Sequence, residues 1–266
     1  MTGGGTRRLW DGLLAGVYLL LACGMYYFHT EYIDLGVHFM YKFVLAAVLA
    51  ALSFLVFLVR TDLDRAGRLV RYGVLLGLPH LALVLASVPL WVFQVQRLTQ
   101  IRRGLFDQVY GLAILAAMAG VLYVFGRRGL WLNLAAMLGA NFITVVRVVR
   151  ESGLSVYLHE LRRLIVTFSG ETGPVMAQME IHELTFALGV YLVYYALDWR
   201  RCRGERLARL LLAPTLFCFF SGFKRIGVAA MAAGVLVWLV LRLLTGRRGG
   251  PFWLLAAAFG AAALSF

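Results

Sequence analysis

Five basic residues in the middle of the chain are spaced so that they share helix faces. Arg147 and Arg150 lie three residues apart, and His159, Arg162 and Arg163 are spaced i, i+3 and i+4. Residues with these separations point to the same side of a helix. Each group therefore presents several cationic or hydrogen-bonding side chains in one direction, as a site for an anion would.

Two further groups that could do chemistry follow in the second half of the chain. Glu180, His182 and Glu183 come together where an apolar run begins. Lys224 and Arg225 are adjacent within an apolar stretch over residues 207–241, with a glycine on either side at positions 222 and 227. The glycines predict a tight hairpin between two helices. Lysine is unusual here, because all but two of the 26 Lys and Arg residues are arginine.

Together these side chains suit a multiply charged anion at a lipid surface. Arginine offers phosphate a planar fork with two N–H donors, and such charge-assisted contacts strengthen where water is excluded. A diphosphate on a lipid carrier is such an anion. The alternative interpretation is that Lys224, Arg225, Arg147 and Arg150 only extend their side chains to the lipid headgroups.

Composition places these residues in a membrane protein. Of the 266 residues, 62% are hydrophobic and 15% are charged, and the mean hydropathy is +0.81. These values are typical of integral membrane proteins. The net charge of +13 would favour nucleic acid binding in a soluble protein, but here we expect no nucleic acid partner. The three cysteines have neither disulfide nor metal-ligand spacing, so we predict no cofactor.

Apolar segments of about 20 residues, enough to cross a bilayer, recur along the whole chain. They predict an all-α integral membrane protein with about nine transmembrane helices in one multi-span domain, residues 1–266. The predicted spans are residues 9–28, 38–59, 70–93, 107–125, 129–149, 183–199, 207–222, 225–243 and 252–266.

The distribution of cations predicts the orientation of these spans. Sixteen of the 26 Lys and Arg residues fall in alternate connections, and such connections lie on the cytoplasmic side by the positive-inside rule. The N-terminus is therefore predicted in the cytoplasm, and the groups described above at the outer face. The cytoplasmic cations are Arg7, Arg8, Arg60, Arg65, Arg68, Arg71, Arg127, Arg128, Arg200, Arg201, Arg203, Arg206, Arg209, Arg242, Arg247 and Arg248.

The connection between the fifth and sixth spans, residues 150–183, is predicted to be a long external loop. Connections between helices usually have about 2–8 residues, and much longer ones are commonly functional or disordered. Its first half has helical periodicity, with His159, Arg162 and Arg163 opposite a face formed by Val156, Leu161, Leu164, Ile165 and Phe168. We expect an amphipathic helix in the membrane interface, where lipid headgroups alone would also hold it.

The stretches MEIHELTFALGVYLVYYAL and FFSGFKRIGVAAMAAG, about 20 residues apart, resemble the paired signature of bacterial O-antigen polymerases and O-antigen ligases. In that family a histidine and an acid open the span after a large external loop, and a short basic turn lies between the next two spans. The resemblance covers roughly residues 129–241. Members usually have ten or more spans, which implies that this chain is either divergent or truncated at its C-terminus.

The resemblance implies glycosyl transfer on the outer face of the bacterial cytoplasmic membrane, without a metal. The donor would be an oligosaccharide on undecaprenyl diphosphate, and polysaccharide export or chain-length proteins would be partners beside the membrane lipids. His182 first, and Glu183 or Glu180 second, would be the general base for the acceptor hydroxyl. The substrate-binding residues would be Arg147, Arg150, His159, Arg162, Arg163, Lys224 and Arg225.

Two alternatives use other features of the sequence. Glu31 and Asp34 in the first external loop would bind a divalent metal in a metal-dependent multi-span glycosyltransferase, although such acids also commonly cap the next helix. Asp62 and Asp64 form a D-x-D pattern, but in a short cytoplasmic turn that we interpret as solvated. A transporter or flippase subunit for a lipid-linked sugar would also need a cationic cavity; the internal repeats common in transporters are not evident here.

Overall fold

The computed structural model describes residues 3–30, 38–59, 63–93, 98–167 and 182–221, together with residues 232, 235, 236 and 238–240. These residues form helices and the turns between them, which confirms an all-α fold for the part described. The helices are α1 (Gly3–Thr30), α2 (His38–Val59), α3 (Leu63–Val92), α4 (Leu98–Phe125), α5 (Arg127–Ser152), α6 (Leu154–Thr167), α7 (His182–Leu197), α8 (Trp199–Gly204) and α9 (Arg206–Ser221).

Two of these helices are long and apolar enough to cross a membrane. They are α1, over Trp10–Phe28, and α5, over Arg127–Ser152; shorter apolar helical segments cover Tyr41–Val56, Gly111–Phe125 and Ala187–Leu197. The helices α1 to α5, α7 and α9 overlap the first seven predicted spans. The eighth and ninth spans fall mostly or wholly outside the described residues, so the count of nine stays a prediction.

The chain divides into two compact units, Met1–Ala136 and Met137–Phe266. In the first unit α2 packs against both α1 and α4, and α3 packs against α4. Its core contains Trp131 and Leu134 from the first part of α5, and Ala22 from α1, all almost fully buried. The side-chain oxygen of Asn133 accepts hydrogen bonds from the hydroxyls of Tyr26 at 2.7 Å and Tyr18 at 3.3 Å.

In the first unit α2 and α4 approach closely at Gly120. A Cβ added there would overlap the Ser53 side chain and would lie 2.9 Å from the Ser53 Cα. The Ser53 hydroxyl donates to the carbonyl of Leu49 in its own helix at 2.8 Å and lies 3.3 Å from the carbonyl of Ala117 in α4. Glycine is needed here because the neighbouring helix occupies the space of a side chain.

In the second unit α9 packs against α6, α7 and α8. The hydroxyl of Tyr195, near the end of α7, donates to the carbonyl of Ala208 in α9 at 2.7 Å. Leu188 of α7 and Phe219 of α9 are buried. Helix α9 is therefore a common neighbour of α6 and α7, two of the helices that carry predicted site residues.

Large apolar side chains are exposed along the long helices of the first unit. Leu20 of α1 is 75% exposed, Val59 of α2 is 82% exposed and Phe93 after α3 is 76% exposed. Many others on the same helices are more than 40% exposed, including Leu13, Val17, Val44, Val48, Phe54, Leu55, Leu58, Val70, Val74, Leu81, Leu83 and Leu85. Water-soluble monomers rarely expose apolar surface on this scale.

Candidate functional site

The candidate site is built around a sharp turn between α5 and α6, which we call the α5–α6 corner, residues 145–162. Helix α5 ends at Ser152 and α6 begins at Leu154, with Gly153 between them at a φ of 89°. The N–H of Gly153 donates to the carbonyl of Val149 at 2.9 Å. Glycine adopts this left-handed conformation without the steric cost that a side chain imposes, so the chain changes direction here.

The two helices of the corner pack through one small apolar cluster. Tyr157 and Leu161 of α6 are buried with Val148 of α5, and Val145 and Val149 pack against them. Tyr157 and Leu161 are four residues apart and therefore lie on one face of α6. Because Leu161 is eight residues past Gly153 and still belongs to this cluster, α6 lies against the last turns of α5.

The structure corrects the predicted apolar face of α6. Periodicity placed Val156 with Leu161, but Val156 is 43% exposed whereas Tyr157 is 4% exposed. The reason is that the face directed at α5 is centred on Tyr157, whose aromatic ring buries more apolar area than a valine. Helix formation over this stretch was predicted correctly, while its position at the membrane interface stays a prediction.

Four of the predicted substrate-binding residues are exposed at the corner. They are Arg147 and Arg150 on α5 and His159 and Arg162 on α6. Two groups that are separate in the sequence thus come onto two helices that pack together. Arg163 also belongs to α6, but its side chain is outside the described part. The corner therefore carries exposed basic residues on both of its helices, while its interior is apolar.

Arg147 has a partner that the sequence reasoning did not use. Its Nε donates to Oε1 of Glu151 at 2.8 Å, and both side chains are about half exposed. The two residues are four apart on α5, a spacing that often forms ion pairs on helices and could have been recognised. The carboxylate holds the Arg147 guanidinium in place and lowers its net attraction for an anion.

A buried hydroxyl lies between the two helices of the corner. The Tyr157 hydroxyl has no hydrogen-bond partner among the described residues, although buried polar groups normally have one. Burial raises the pKa of Tyr157, and the nearby Cys218 of α9 raises it further, so the phenol keeps its proton at neutral pH and is a potential donor. Cys218 itself is hydrogen-bonded to the side chain of Asn141 on α5.

The predicted general base lies at the start of α7. His182 and Glu183 are the first two residues of that helix, as the sequence predicted for the beginning of a span. An acid in the first turn is favoured by the helix dipole. Their side chains, and Glu180, are outside the described part of the structure. His182 and Glu183 therefore belong to the same compact unit as the corner.

The remaining predicted site residues are also outside the described residues: Lys224, Arg225, Glu31 and Asp34. The described residues contain no group of three or more His, Cys, Asp or Glu side chains that could hold a metal ion. Lys42 of α2, which the sequence placed within a span, is 6% exposed, and its Nζ lies 5.4 Å from the centre of the Phe43 ring.

The α5–α6 corner thus combines exposed cations, a buried phenol and, in the same unit, the histidine and acid that begin α7. No family model, curated protein or solved structure matches the chain at a significant level.

Proposed function

We propose that this protein is a membrane glycosyltransferase that moves an oligosaccharide from a polyprenyl diphosphate to a hydroxyl group of an acceptor. The observation that carries the proposal is the α5–α6 corner, where two packed helices carry exposed basic side chains and one of them follows directly on a helix long enough to span a bilayer. The resemblance to O-antigen polymerases and ligases names undecaprenyl diphosphate as the carrier and the outer face of the cytoplasmic membrane as the place of reaction.

The membrane location is supported by the surface of the long helices. The apolar side chains exposed on α1, α2 and α3 would be stable against lipid tails and unstable in water. The apolar lengths of α1 and α5 match the roughly 20 residues that cross a bilayer. An active site at the end of α5 would then lie at a membrane surface, where a lipid-linked diphosphate presents its charge.

The reaction we propose is a single displacement at the anomeric carbon of the donor. The acceptor oxygen forms a bond to that carbon while the bond to the diphosphate oxygen breaks, and the electron pair of the broken bond goes to the diphosphate. His182, or Glu183 or Glu180 in its place, takes the proton of the acceptor hydroxyl. The diphosphate gains negative charge as it leaves, and cations near it lower the barrier.

Among the cations we assign the leaving group first to Arg150 and Arg162. Both are exposed at the corner, and arginine can meet a diphosphate with two parallel N–H donors. Arg147 is a weaker candidate, because its ion pair with Glu151 already uses one donor and places a carboxylate nearby. Lys224 and Arg225, which the sequence alone assigns to the site, would complete the set.

The experiment is complementation of cells that lack the chain, scored by glycan chain length at matched membrane levels of each variant. Arg150→Lys and Arg162→Lys keep the charge and lose the fork, so we expect transfer to fall about 30- to 1,000-fold, equivalent to about 2–4 kcal/mol. Arg225→Lys should behave in the same way. Arg209→Lys, at an exposed position of α9, is the matched control and should be unaffected.

The same cells separate the proposal from its two alternatives. Loss of the polymer with lipid-linked units accumulating outside the membrane supports a glycosyltransferase, whereas accumulation inside would identify a flippase. If a chelator stops transfer and magnesium or manganese restores it, the metal-dependent alternative with Glu31 and Asp34 as ligands is supported instead. Near-normal polymer from all three arginine variants would refute the assignment of the leaving-group site.

A further inference from the structure

The first unit contains an apolar groove that the proposed reaction does not use. It has a volume of about 420 Å3, within the range of roughly 300–1,000 Å3 that is common for ligand sites. Helices α2, α3 and α4 form its walls. Its lining includes Ser53 and Phe54 of α2, Gly73 of α3, and Ala116, Gly120 and Tyr123 of α4.

The groove exists because small residues replace bulky ones along the neighbouring helices. Gly73 on α3 has no atom within 4 Å of the place where its Cβ would be, so nothing fills that wall. Ala116 and Gly120 lie four residues apart on α4, on one face of the helix. Phe54 and Val70 beside them are 60% and 58% exposed, so the groove opens to the surroundings of the protein.

The length of the groove corresponds to one leaflet of a membrane. Its lining on α4 runs from Leu112 to Tyr123, which is about 16 Å along the helix axis at a rise of 1.5 Å per residue. Half of a hydrocarbon core about 30 Å thick is about 15 Å. Tyr123 is the last lining residue towards the end of α4, and tyrosine is enriched where hydrocarbon meets headgroups.

Arginines lie close in sequence to the residues at the Tyr123 end of the groove. Helix α4 ends two residues later, and Arg127 and Arg128 follow at the start of α5. In the first turns of α3, Arg65 and Arg68 precede the lining residue Val70, and Arg71 follows it. Arg71 and Arg128 are exposed. A chain held in the groove would therefore have its headgroup among cations, which favours an anionic headgroup.

From this match of length, apolar lining and charge we propose that the groove binds one acyl chain of an anionic membrane phospholipid, with its phosphate against the arginines at the Tyr123 end. The proposal depends on the membrane location of the first unit but not on glycosyl transfer. The bound lipid would fill the space between α3 and the α2–α4 pair and so keep these helices at their separation.

The test is titration of the purified full chain in detergent with phosphatidylglycerol, with bound lipids counted by native mass spectrometry. Gly73→Leu places a side chain in the groove, and its Cβ meets no atom within 4 Å, so we expect it to lose one tightly bound phosphatidylglycerol. Gly16→Leu is the matched control, because Gly16 on α1 is exposed and also has no atom within 4 Å. Ala116→Leu fills the groove from α4. Because it lies on a different helix, the same loss of lipid in this variant would show that the result does not come from misfolding of Gly73→Leu.

The headgroup is tested separately with Arg71→Gln and with phosphatidylcholine. Both lipids carry a phosphate, but only phosphatidylglycerol has a net negative charge. The wild-type chain should therefore prefer phosphatidylglycerol about fivefold for each arginine near the headgroup, and Arg71→Gln should reduce that preference by a similar factor. Equal lipid counts in wild type, Gly73→Leu and Ala116→Leu would refute the proposal. Equal binding of the two phospholipids, or retention only of a polyprenyl phosphate, would refute it as well. The lipid titration contains no glycosyl donor. Its outcome is therefore independent of whether the protein catalyses glycosyl transfer.

Discussion

Asn133 is the residue on which the polar interior of the first unit depends. Its oxygen accepts hydrogen bonds from Tyr26 and Tyr18, and Asn133 is itself 6% exposed. The shorter contact, 2.7 Å to Tyr26, is within the usual range for a hydroxyl donor, while the 3.3 Å contact to Tyr18 is longer than usual. Tyr26 therefore loses more than Tyr18 when the acceptor is removed.

We predict that Asn133→Leu destabilises the protein, because it removes the acceptor that the Tyr26 and Tyr18 hydroxyls share. Losing a buried hydrogen bond costs about 1 kcal/mol, and thermal unfolding in detergent would measure it. Adding Tyr26→Phe to Asn133→Leu should recover most of the loss. A double variant that is no more stable than Asn133→Leu would show that the tyrosine hydroxyl is not the affected group.

Two buried tyrosines of the second unit should respond in opposite ways to loss of their hydroxyls. Tyr157 has no acceptor among the described residues, so Tyr157→Phe should leave stability unchanged or slightly higher and should reduce glycan transfer if the hydroxyl contacts substrate. Tyr195 donates to the Ala208 carbonyl, so Tyr195→Phe should cost about 1 kcal/mol of stability and spare transfer. If Tyr157→Phe transfers glycan as well as the wild type, the Tyr157 hydroxyl does not contact the substrate.

At the scale of helices, the contact between α2 and α4 has no room for a methyl group at Gly120. Gly120→Ala should separate the two helices and cost about 1–3 kcal/mol, as is usual for overpacked cores. Gly16→Ala on α1 should instead gain up to about 1 kcal/mol, because alanine favours a helix over glycine. Thermal unfolding of both variants tests this, and Ser53→Gly should partly rescue Gly120→Ala. Equal melting temperatures for the two alanine variants would contradict the close approach.

The change of direction between α5 and α6 should depend on the left-handed backbone conformation of Gly153, because no neighbouring atom restricts the size of its side chain. No atom lies within 4 Å of a Cβ built there, so Gly153→Ala tests the left-handed φ of 89° alone. We expect a cost of about 1–2 kcal/mol and reduced transfer, because α6 would change its direction relative to α5. Gly204→Ala, also free of nearby atoms, is the control. Wild-type stability and transfer in Gly153→Ala would refute this role.

Helix positions were predictable from the sequence, and helix contacts were less so. The predicted segment 38–59 coincides with α2, because a continuous apolar run fixes a helix by itself. The burial of Tyr157 in place of Val156 was missed, since periodicity gives one face of a helix and not the neighbour that it meets. The role of Asn133 was missed for the same reason, because its partners are more than 100 residues away.

At the scale of the whole molecule, the membrane topology is the prediction on which the outer site depends. In a cysteine-free background, Ser169→Cys in the long loop should react with an impermeant thiol reagent added to intact cells. Gly67→Cys, at an exposed position near the start of α3, should react only after the inner face is opened, because its helix begins among cytoplasmic arginines. Labelling in the reverse pattern would place the corner on the cytoplasmic side.

Composition predicted the helical class of the molecule, but it could not predict the division into two compact units within α5. Apolar content shows which segments avoid water, and it does not show which of them pack together. The candidate site stays a prediction: spacing put Arg147 and Arg150 on one helix, and the four-residue spacing of Arg147 and Glu151 could also have indicated their ion pair. The burial of the Tyr157 hydroxyl depends on the packing of α6 against α5, which spacing within one helix does not give.

The hydrogen bonds of Asn133 also have a consequence for the order of synthesis. Asn133 follows Tyr26 by 107 residues and Tyr18 by 115 residues. At about 5–20 residues per second, the ribosome makes α1 about 5–20 s before its acceptor. During that interval the hydrogen bonds from the two tyrosine hydroxyls to Asn133 cannot form. Slower translation of this stretch would therefore lengthen the time in which α1 is open to a chaperone or a membrane protease, although the finished fold would be the same.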